Sequence, residues 1–424
     1  MEGGARDSPQ AARMMVRLET REEPVTLNLQ PGALSLHLYG RDVLTYDRAG
    51  RLWSATLGEL TYRRGLDNRI QAIRMTAEGL QRRWLSREEV RALEEELARR
   101  LRELLRALST PSLRWITPPP DPEDWFRILE ALRRAAAMDF EALEADARRF
   151  TEVYAPIGIL PPDQYLSLVV QATTGCPFNT CLFCGFYRSV PFRVRSPEAF
   201  EAHLHAIRAF FGEGLWMRRT IFLGSANALA IPMPRLIALL ERLQQAFPLQ
   251  ADGSGRGFAG IYAFLDGFTG LRKTVGDYAQ LRAMGLRRVY IGLESGHTPL
   301  LEFLRKPATV EGMIETVRRL KAAGLSVGVI VMIGVGGDRF AQGHLEDTLA
   351  VLKAMPLDRR DLVYLSDFVE MPGTPYRAAA EAWGIRPLSP AERQAQAESL
   401  RAGLRALGGE GPRVAPYALE AFVY

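Results

Sequence analysis

The stretch TTGCPFNTCLFCGFYR, residues 173–188, contains every cysteine of this 424-residue chain: Cys176, Cys181 and Cys184. Three cysteines placed at random over that length would fall this close together with odds on the order of one in a thousand. The clustering therefore indicates a shared chemical role. Thiolates are soft ligands, so a short loop that carries three of them can hold an iron–sulfur cluster, zinc or copper.

The number of available ligands bears on which of these groups the loop holds. A structural zinc site and an electron-transfer [4Fe–4S] cluster both normally have four protein ligands. The loop contains no histidine, because the chain's five are His37, His203, His205, His297 and His344. A [4Fe–4S] cluster held by three cysteines leaves one iron open for a ligand that is not protein, and this is the favoured prediction. A zinc loop or a loop of buried thiols is the alternative.

The composition is that of a globular enzyme. The chain is 47% hydrophobic and 24% charged, with a net charge of +5. Acidic and basic residues are interspersed, so the charge is weak evidence for a nucleic-acid partner. The odd cysteine count, together with the lack of an N-terminal apolar segment and of any apolar run near 20 residues, predicts a cytoplasmic protein without disulfides or a membrane span.

From about residue 160 onward, apolar strands alternate with helices. The predicted strands cover residues 166–172, 219–224, 260–265, 288–293, 326–334 and 361–366. The predicted helices between and after them cover residues 197–211, 233–246, 275–284, 309–323 and 343–355. Nearly continuous apolar strands at this spacing are typical of a parallel sheet covered by helices. The pattern predicts an α/β fold, a partial (β/α)6 barrel of the TIM type.

A mixed module precedes this region. Short apolar stretches between Val25 and Leu57 alternate with turn signals and predict a small antiparallel meander. Ser86 and Glu89 form a capping-box pattern that predicts a helix to about Leu108, and two further helices are predicted over 122–137 and 139–153. A final helix, 390–407, is predicted before the tail. The expected domains are an accessory module (1–160), the barrel (161–385) and a short C-terminal helical extension (386–424).

The cysteine loop resembles that of the radical S-adenosylmethionine (SAM) superfamily. In that family three cysteines follow the first strand of a six-fold partial barrel, and an aromatic residue precedes the third, as Phe183 precedes Cys184 here. Four residues, PFNT, separate Cys176 from Cys181, one more than in the commonest form of the signature. The resemblance covers about residues 164–385, and EMPGTPY (370–376) is placed as in the subgroup of oxygen-independent coproporphyrinogen oxidase and the Elongator catalytic subunit.

The resemblance also implies which residues contact SAM. Residues of FLGSANAL (222–229), IGLESG (291–296) and VMIGVGGD (331–338) stand where the family binds the methionyl group, the ribose and the adenine, respectively. The cofactor-binding residues implied in this way are Phe183, Gly224, Ser225, Asn227, Glu294, Ser295, Ile333 and Gly334. Cys176, Cys181 and Cys184 would hold the [4Fe–4S] cluster. No catalytic residue is predicted, although Tyr187, Arg188 and Lys306 are placed where they could reach substrate.

The function implied by the resemblance is radical SAM chemistry. A reduced [4Fe–4S] cluster would cleave SAM to a 5'-deoxyadenosyl radical that abstracts hydrogen from an unidentified substrate, expected to be a small molecule. A low-potential flavodoxin or ferredoxin would supply the electron, since no cysteine is left for a second cluster. Two alternatives stay open: the same chemistry on RNA, such as tRNA modification, and a non-catalytic metal-binding protein.

Overall fold

The computed structural model describes residues 13–20, 23–38, 40–77, 79–110, 113–250, 257–406 and 408–424. Two compact units make up the chain. Unit 1 comprises Met1–Tyr154, Ala206–Arg219 and Val423–Tyr424, and unit 2 comprises Ala155–His205 and Thr220–Phe422. Among the described residues, no helix combines the length and the hydropathy that a membrane span requires.

Unit 1 is built on a nine-stranded sheet with three helices. The strands are β1 (Met14–Thr20), β2 (Glu23–Leu29), β3 (Ala33–Leu38), β4 (Asp42–Asp47), β5 (Leu52–Leu57), β6 (Leu60–Arg64), β7 (Ile70–Thr76), β8 (Gly79–Trp84) and β9 (Arg114–Trp115). The helices are α1 (Arg87–Leu108), α2 (Pro122–Ala137) and α3 (Phe140–Val153). Strands β1 to β8 follow one another as an antiparallel meander, and β9 pairs with β1. Leucines of alternating strand positions and of α1 and α2 form the core of this unit.

The prediction of a meander over Val25–Leu57 is correct in kind but wrong in extent. The sheet continues through β6, β7 and β8, which the sequence reasoning did not identify as strands. In β8 every residue is at least partly exposed, and β6 buries only its last residue, Arg64. The alternation of apolar and polar residues that marks a half-buried strand is therefore weak here.

Helix starts in unit 1 follow their local sequence signals. Ser86 and Glu89 form the predicted capping box, in which the Ser86 side chain accepts from the Glu89 N–H and the Glu89 carboxylate accepts from the Ser86 N–H. Asp121 and Asp139 cap α2 and α3 in the same manner through their side chains. Each cap satisfies backbone N–H groups that the first helical turn leaves unpaired.

A buried ion pair lies inside unit 1. The side chains of Arg64 and Glu94 are 1% and 0% exposed, and Arg64 Nε lies 3.4 Å from Glu94 Oε1. The Asn68 amide donates to Glu94 Oε2 at 3.3 Å. Burial raises the pKa of Glu94 to about 7, although the Arg64 charge opposes the shift.

Glu94 gives a pH-dependent stability prediction. Its folded-state pKa lies above the unfolded value, so its favourable contribution is complete at acidic pH and is lost as the pH rises through about 7. Glu94→Gln has no such titration. The unfolding free energies of wild type and of Glu94→Gln are measured by urea denaturation at pH 5 and at pH 8. From pH 5 to pH 8, the unfolding free energy of wild type should fall by about 2 kcal/mol more than that of Glu94→Gln. A difference between the two proteins that does not change with pH would contradict this prediction.

Unit 2 is an α/β barrel segment. Its parallel strands are β10 (Ser167–Gln171), β13 (Thr220–Gly224), β14 (Ile261–Leu265), β15 (Leu286–Glu294), β16 (Ser326–Ile333), β17 (Leu362–Asp367) and β18 (Arg413–Pro416), in that spatial order. A separate two-stranded sheet pairs β11 (Thr173–Thr174) with β12 (Arg193–Val194). The helices are α4 (Pro197–Phe211), α5 (Met233–Ala246), α6 (Val275–Ala283), α7 (Thr298–Phe303), α8 (Val310–Ala322), α9 (Gly337–Ala354), α10 (Tyr376–Ala382) and α11 (Pro390–Arg405). The division between the units falls within α4.

The predicted fold class is confirmed by this sheet, with two corrections. A seventh strand, β18, extends the predicted six by pairing in parallel with β17, whereas the sequence reasoning treated this region as a tail. This short strand carries Arg413 and Pro416 and buries none of its residues fully, so its pattern does not resemble that of the central strands. Helix α9 begins at Gly337 rather than near 343, directly after a run of glycines with positive φ.

All seven strands run in the same direction, so their carboxyl ends meet at one edge. Loops that follow the strands are collected at this edge, which is where α/β barrels and sheets bind their ligands.

Candidate active site

The cysteine loop follows the first parallel strand and is closed at its base. Strand β10 ends at Gln171, and the pairing of β11 with β12 brings residues 173–174 against 193–194. Gly175 has φ of +66°, and a Cβ there would lie 2.4 Å from the Val190 carbonyl oxygen. Only glycine fits this close backbone approach, so the loop leaves the strand through a position that is fixed in conformation.

Hydrogen bonds to the backbone hold the cysteine segment in place. The Arg188 guanidinium donates to the carbonyl oxygens of Cys184 (Nε, 2.8 Å) and Cys181 (Nη2, 2.6 Å). The Leu182 N–H donates to the Leu304 carbonyl at 3.0 Å, which ties the loop to the segment after α7. Arg188, which the sequence suggested as a possible substrate contact, is thus engaged with the loop itself while its side chain remains exposed.

The three thiols are free, and each cysteine is only partly buried. All three line the same cavity. Burial raises the pKa of Cys181 to about 11 and also raises that of Cys184. The thiols of Cys181 and Cys184 are therefore protonated at neutral pH when no metal is bound, and a thiol must lose its proton when it binds a metal.

The donor set fits an iron–sulfur cluster. In the described ranges no three His, Cys, Asp or Glu side chains converge closely enough to hold a single metal ion. A [4Fe–4S] cluster needs no such point of convergence, because each thiolate binds a different iron atom. Three thiols that come from one loop and line one cavity are compatible with such a cluster.

Glu294 faces the thiols from the end of β15. The pairing of β15 with β16 shifts register between Gly292 and Glu294, and Glu294 has φ of +60°. A β-bulge of this kind redirects a side chain, and a non-glycine residue in the left-handed region is strained. A Cβ on Gly292 would lie 2.2 Å from Glu294 Oε1, so the glycine leaves the space that the folded-back carboxylate occupies.

Lys306 forms an ion pair with this carboxylate. Its Nζ lies 2.9 Å from Glu294 Oε1, and both side chains are 11% exposed. Burial lowers the pKa of Lys306, but the negative charge of Glu294 outweighs this effect and the net shift of the pKa is upward. Lys306 is therefore a buried cation that lies within electrostatic reach of a cysteine.

Gly292→Ala tests the space beside this ion pair. The added methyl group must displace the Glu294 carboxylate without straining the Gly292 backbone, because only the end of a side chain stands in its way. We expect the variant to fold and to bind SAM about tenfold more weakly than wild type, measured by calorimetry on cluster-loaded protein. Gly276→Ala, whose Cβ would meet only the Thr274 hydroxyl at 3.6 Å, is the control. Equal SAM affinities for the two variants would contradict the prediction.

The cavity beyond the thiols has a volume of about 220 Å³ and mostly apolar walls. Its aromatic lining comprises Phe178, Phe183, Phe186, Tyr187, Phe264, Phe268, Phe368 and Tyr417. Met371, from the EMPGTPY segment, also lines it and accepts a hydrogen bond from the Gly185 N–H through its sulfur (3.3 Å). Such walls exclude water from the space next to the cysteines.

Asp266 is a cavity residue that the sequence reasoning missed. It directly follows β14, at the same edge as the cysteine loop, and that position was the available signal. Its Oδ1 accepts from the Thr269 N–H and hydroxyl, both at 2.6 Å. Its other oxygen accepts from the Asn227 amide, which also donates to the Thr269 hydroxyl at 2.8 Å. The Asn227 amide nitrogen thus already has two partners within the protein.

The sequence-predicted cofactor residues separate into two groups. Phe183, Asn227 and Glu294 line the cavity with the three cysteines. Gly224, Ser225, Ser295, Ile333 and Gly334 lie behind it, at the ends of β13, β15 and β16. The Ser225 hydroxyl donates to the Thr173 carbonyl (3.1 Å), and the Gly334 N–H donates to Gln396 (2.8 Å).

Ser295 belongs to a buried contact behind the cavity. Its hydroxyl lies 2.8 Å from His344 Nδ1 and accepts from the His297 N–H at 3.0 Å. Burial lowers the pKa of His344 to about 4, so this histidine is neutral at physiological pH. The contact supports the segment that carries Glu294 and adds no charge to it.

Comparison with known proteins agrees with this geometry. Residues 170–350 match the radical SAM superfamily. This segment is a radical SAM domain. The match supports radical SAM chemistry for this segment, and domains of this family use a [4Fe–4S] cluster and SAM as cofactors. Enzymes of this kind need a reductant as well as a substrate.

Solved structures of radical SAM enzymes are similar to the radical SAM domain and its surroundings. Coproporphyrinogen III oxidase (HemN) from Escherichia coli is 17% identical, with a TM-score of 0.44 over 61% of this chain and 56% of the oxidase. Elp3 of the archaeon Methanocaldococcus infernus is 14% identical, with a TM-score of 0.39 over 59% of this chain and 56% of that one. Methylornithine synthase (PylB) is 16% identical, with a TM-score of 0.37 over 77% and 85%.

The chain thus spans little more than half the length of HemN and of Elp3. No curated protein matches it.

Proposed function

We propose that Cys176, Cys181 and Cys184 hold the [4Fe–4S] cluster and that the adjoining cavity receives SAM and a small, largely apolar substrate. The observation that carries this proposal is that three free thiols line one cavity with aromatic walls, on the loop that follows the first strand of a parallel sheet. When bound, the cluster and SAM together supply one-electron cleavage of the sulfonium and hydrogen abstraction from the substrate.

The residues of this chain bind the cluster and SAM, hold them in position and shield the reacting centre from water. Arg188 and the Leu182–Leu304 hydrogen bond fix the backbone from which Cys181 and Cys184 project. Glu294 is the one cavity carboxylate that the sequence resemblance assigns to the ribose hydroxyls, and Lys306 holds it in position. The aromatic walls keep water away from the reacting centre.

The other residues that the resemblance implies line the cavity or shape the loops around it. Phe183 and Asn227 contact the cofactor from the cavity wall. Gly224 and Ser225 shape the loop after β13, and Ile333 and Gly334 shape the end of β16. Ser295 holds the Glu294 segment through His344.

The charge of the cavity favours a small molecule over RNA. Among the residues that the structure describes, the charged ones in the lining are three carboxylates, Asp266, Glu294 and Asp367, and one cation, Lys306. A polyanion would meet more repulsion than attraction there, whereas proteins that bind nucleic acids present clusters of basic residues. We therefore expect no tight binding of tRNA at low salt. Tight binding with an affinity that falls steeply as the salt concentration rises would favour RNA as the substrate.

The partners and the compartment complete the proposal. A flavodoxin or ferredoxin of low potential would supply the electron. The three unpaired thiols support a reducing compartment, and we propose the cytoplasm.

Anaerobic reconstitution tests the function. Wild-type protein loaded with iron and sulfide should form 5'-deoxyadenosine from SAM when dithionite is added, even without substrate. The nucleoside should be quantified by chromatography beside a sample that lacks dithionite. A protein that carries a full cluster but forms no nucleoside would contradict radical SAM activity.

A further inference from the structure

We propose that an acidic electron-carrier protein docks on the outer side of the cysteine loop, in a groove lined by Leu182, Phe303, Phe340 and Trp383 with Arg305 and Arg339 at its rim. This groove, called the Leu182 groove below, has a volume of about 440 Å³. The inference rests on the proposed function, because it assumes that the cluster is held by the three cysteines.

The loop separates the Leu182 groove from the cavity. Cys181, Phe183 and Cys184 line the cavity, whereas Leu182, between them in sequence, lines the groove. The Leu182 N–H is fixed to the Leu304 carbonyl at 3.0 Å. A carrier seated in the groove would therefore contact the very loop that binds the cluster, while the cavity stays free for SAM and substrate.

The rim of the groove is positive. Arg305 and Arg339 line the groove and are exposed. Arg188 is also exposed, and its guanidinium donates to the Cys181 and Cys184 carbonyls on the loop that carries Leu182. Within the described part of the chain, none of these three has a carboxylate at ion-pair distance. Of the described residues that line the groove, Glu302 is the single acidic one. An acidic partner surface would thus meet unpaired positive charge.

The floor of the groove has the residue types of a protein interface. Trp383 is 48% exposed, and the Arg339 guanidinium lies 5.0 Å from its ring centroid. Phe303 lies 5.3 Å from the Trp383 ring and is itself buried. The exposed part of the floor is therefore the Trp383 ring, which packs on buried phenylalanines and lies beside an arginine. Tryptophan and arginine are enriched among the residues that dominate binding energy at protein interfaces.

The positive rim favours an acidic partner, and the proposed cluster requires a partner that carries electrons. We therefore infer that the occupant is a small acidic redox protein of the flavodoxin or ferredoxin class. One electron passes from the reduced carrier to the oxidised cluster, so the carrier is oxidised by one electron and the cluster is reduced by one. No bond forms or breaks at this surface.

The test compares Arg305→Glu/Arg339→Glu with Arg359→Glu. Arg359 is also exposed, but it precedes β17 and so lies at the amino edge of the sheet, opposite the cysteine loop. Cluster-loaded proteins are mixed with a purified flavodoxin in its hydroquinone form, and bleaching of the cluster absorbance is followed by stopped flow. The same series is repeated with a reduced [2Fe–2S] ferredoxin.

We expect the second-order rate constant of the double variant to fall at least about tenfold at low ionic strength, with the Arg359→Glu protein like wild type. The dissociation constant of the oxidised flavodoxin complex, measured by calorimetry, should rise in parallel. Arg305→Glu alone should give an intermediate effect. This single variant is a control because it changes the charge of the rim and leaves the contact between Arg339 and Trp383 in place. Dithionite should reduce all the proteins equally, because a small reductant needs no docking surface.

Equal rate constants for wild type and the double variant with both carriers would overturn the inference while leaving the proposed function intact. Failure of wild type to form 5'-deoxyadenosine with dithionite would instead count against the proposed function. Sedimentation velocity distinguishes a further occupant: self-association of wild type that the double variant abolishes would make the groove a contact between copies of this chain and would also overturn the inference.

Discussion

Cys181→Ala is expected to lose its cluster and its ability to form 5'-deoxyadenosine. Even residues that only orient a metal ligand typically contribute 10- to 100-fold to metal affinity or activity, so loss of a ligand itself should lower nucleoside formation by more than about 100-fold. Iron and sulfide content and the visible absorbance near the sulfur-to-iron charge-transfer band should fall together. The same result is expected for Cys176→Ala and Cys184→Ala, because each thiolate would hold a different iron atom.

Ser189→Ala is the matched control for this experiment. Ser189 lies in the same loop, five residues after Cys184, and is exposed. The substitution removes an oxygen of similar size to the thiol without touching the cavity. Cluster content and nucleoside formation should remain at the wild-type level. A cysteine variant that behaves like Ser189→Ala would show that its thiol is not a ligand.

The Glu294–Lys306 ion pair gives the second large effect. Removal of one member leaves the other as an uncompensated charge in a site where both side chains are 11% exposed. Such a loss typically destabilises a protein by about 3–5 kcal/mol, whereas replacement of both members by neutral groups is often close to neutral. Glu294→Gln and Lys306→Met are therefore each expected to lower the unfolding free energy by about 3 kcal/mol, and the double variant by much less than the sum of the two.

The measurement is a double-mutant cycle by chemical denaturation, combined with SAM affinity by calorimetry. The stability cycle should show strong coupling between the two residues. SAM affinity should fall in Glu294→Gln and should not recover in the double variant, because the proposed ribose contact needs the carboxylate itself. Additive stability effects would contradict the ion pair, and recovered SAM affinity in the double variant would contradict the role of Glu294 in binding SAM.

Local signals explain the parts of the fold that the sequence predicts well. Helices α1, α2 and α5 begin where predicted because a capping residue or a proline marks their first turn. The central parallel strands are identified because both of their faces are buried, which leaves nearly continuous apolar runs such as those of β13 and β17. These features depend on a few neighbouring residues, so one sequence is sufficient to find them.

Two strands at sheet edges, β8 and β18, escape this reasoning. Strand β8 is exposed along its whole length, and β18 is only four residues long and contains a proline. Their place in a sheet is decided by pairing with β7 and β17, which are adjacent to them in space. Neither burial nor alternation is strong enough in these segments to mark them as strands.

The site residues also separate into those that local sequence signals reveal and those that depend on tertiary contacts. The cysteines are evident from their clustering alone, and Glu294 follows from a resemblance in a short segment. The contact of Glu294 with Lys306 depends on the register shift between β15 and β16, which is a tertiary feature. Asp266 was overlooked because a single acidic residue after a strand carries little information until the strand ends are known to meet at one edge.

The central claim is that three thiols hold a [4Fe–4S] cluster whose remaining iron binds SAM. Pulsed electron–nuclear double resonance of the reduced, cluster-loaded protein with SAM labelled by ¹⁵N at its amino group or by ¹⁷O at its carboxylate tests this directly. We predict a hyperfine coupling of the label to the cluster, lost in Cys181→Ala. A wild-type cluster that is fully loaded and reduced but shows no coupling to either label would contradict the account.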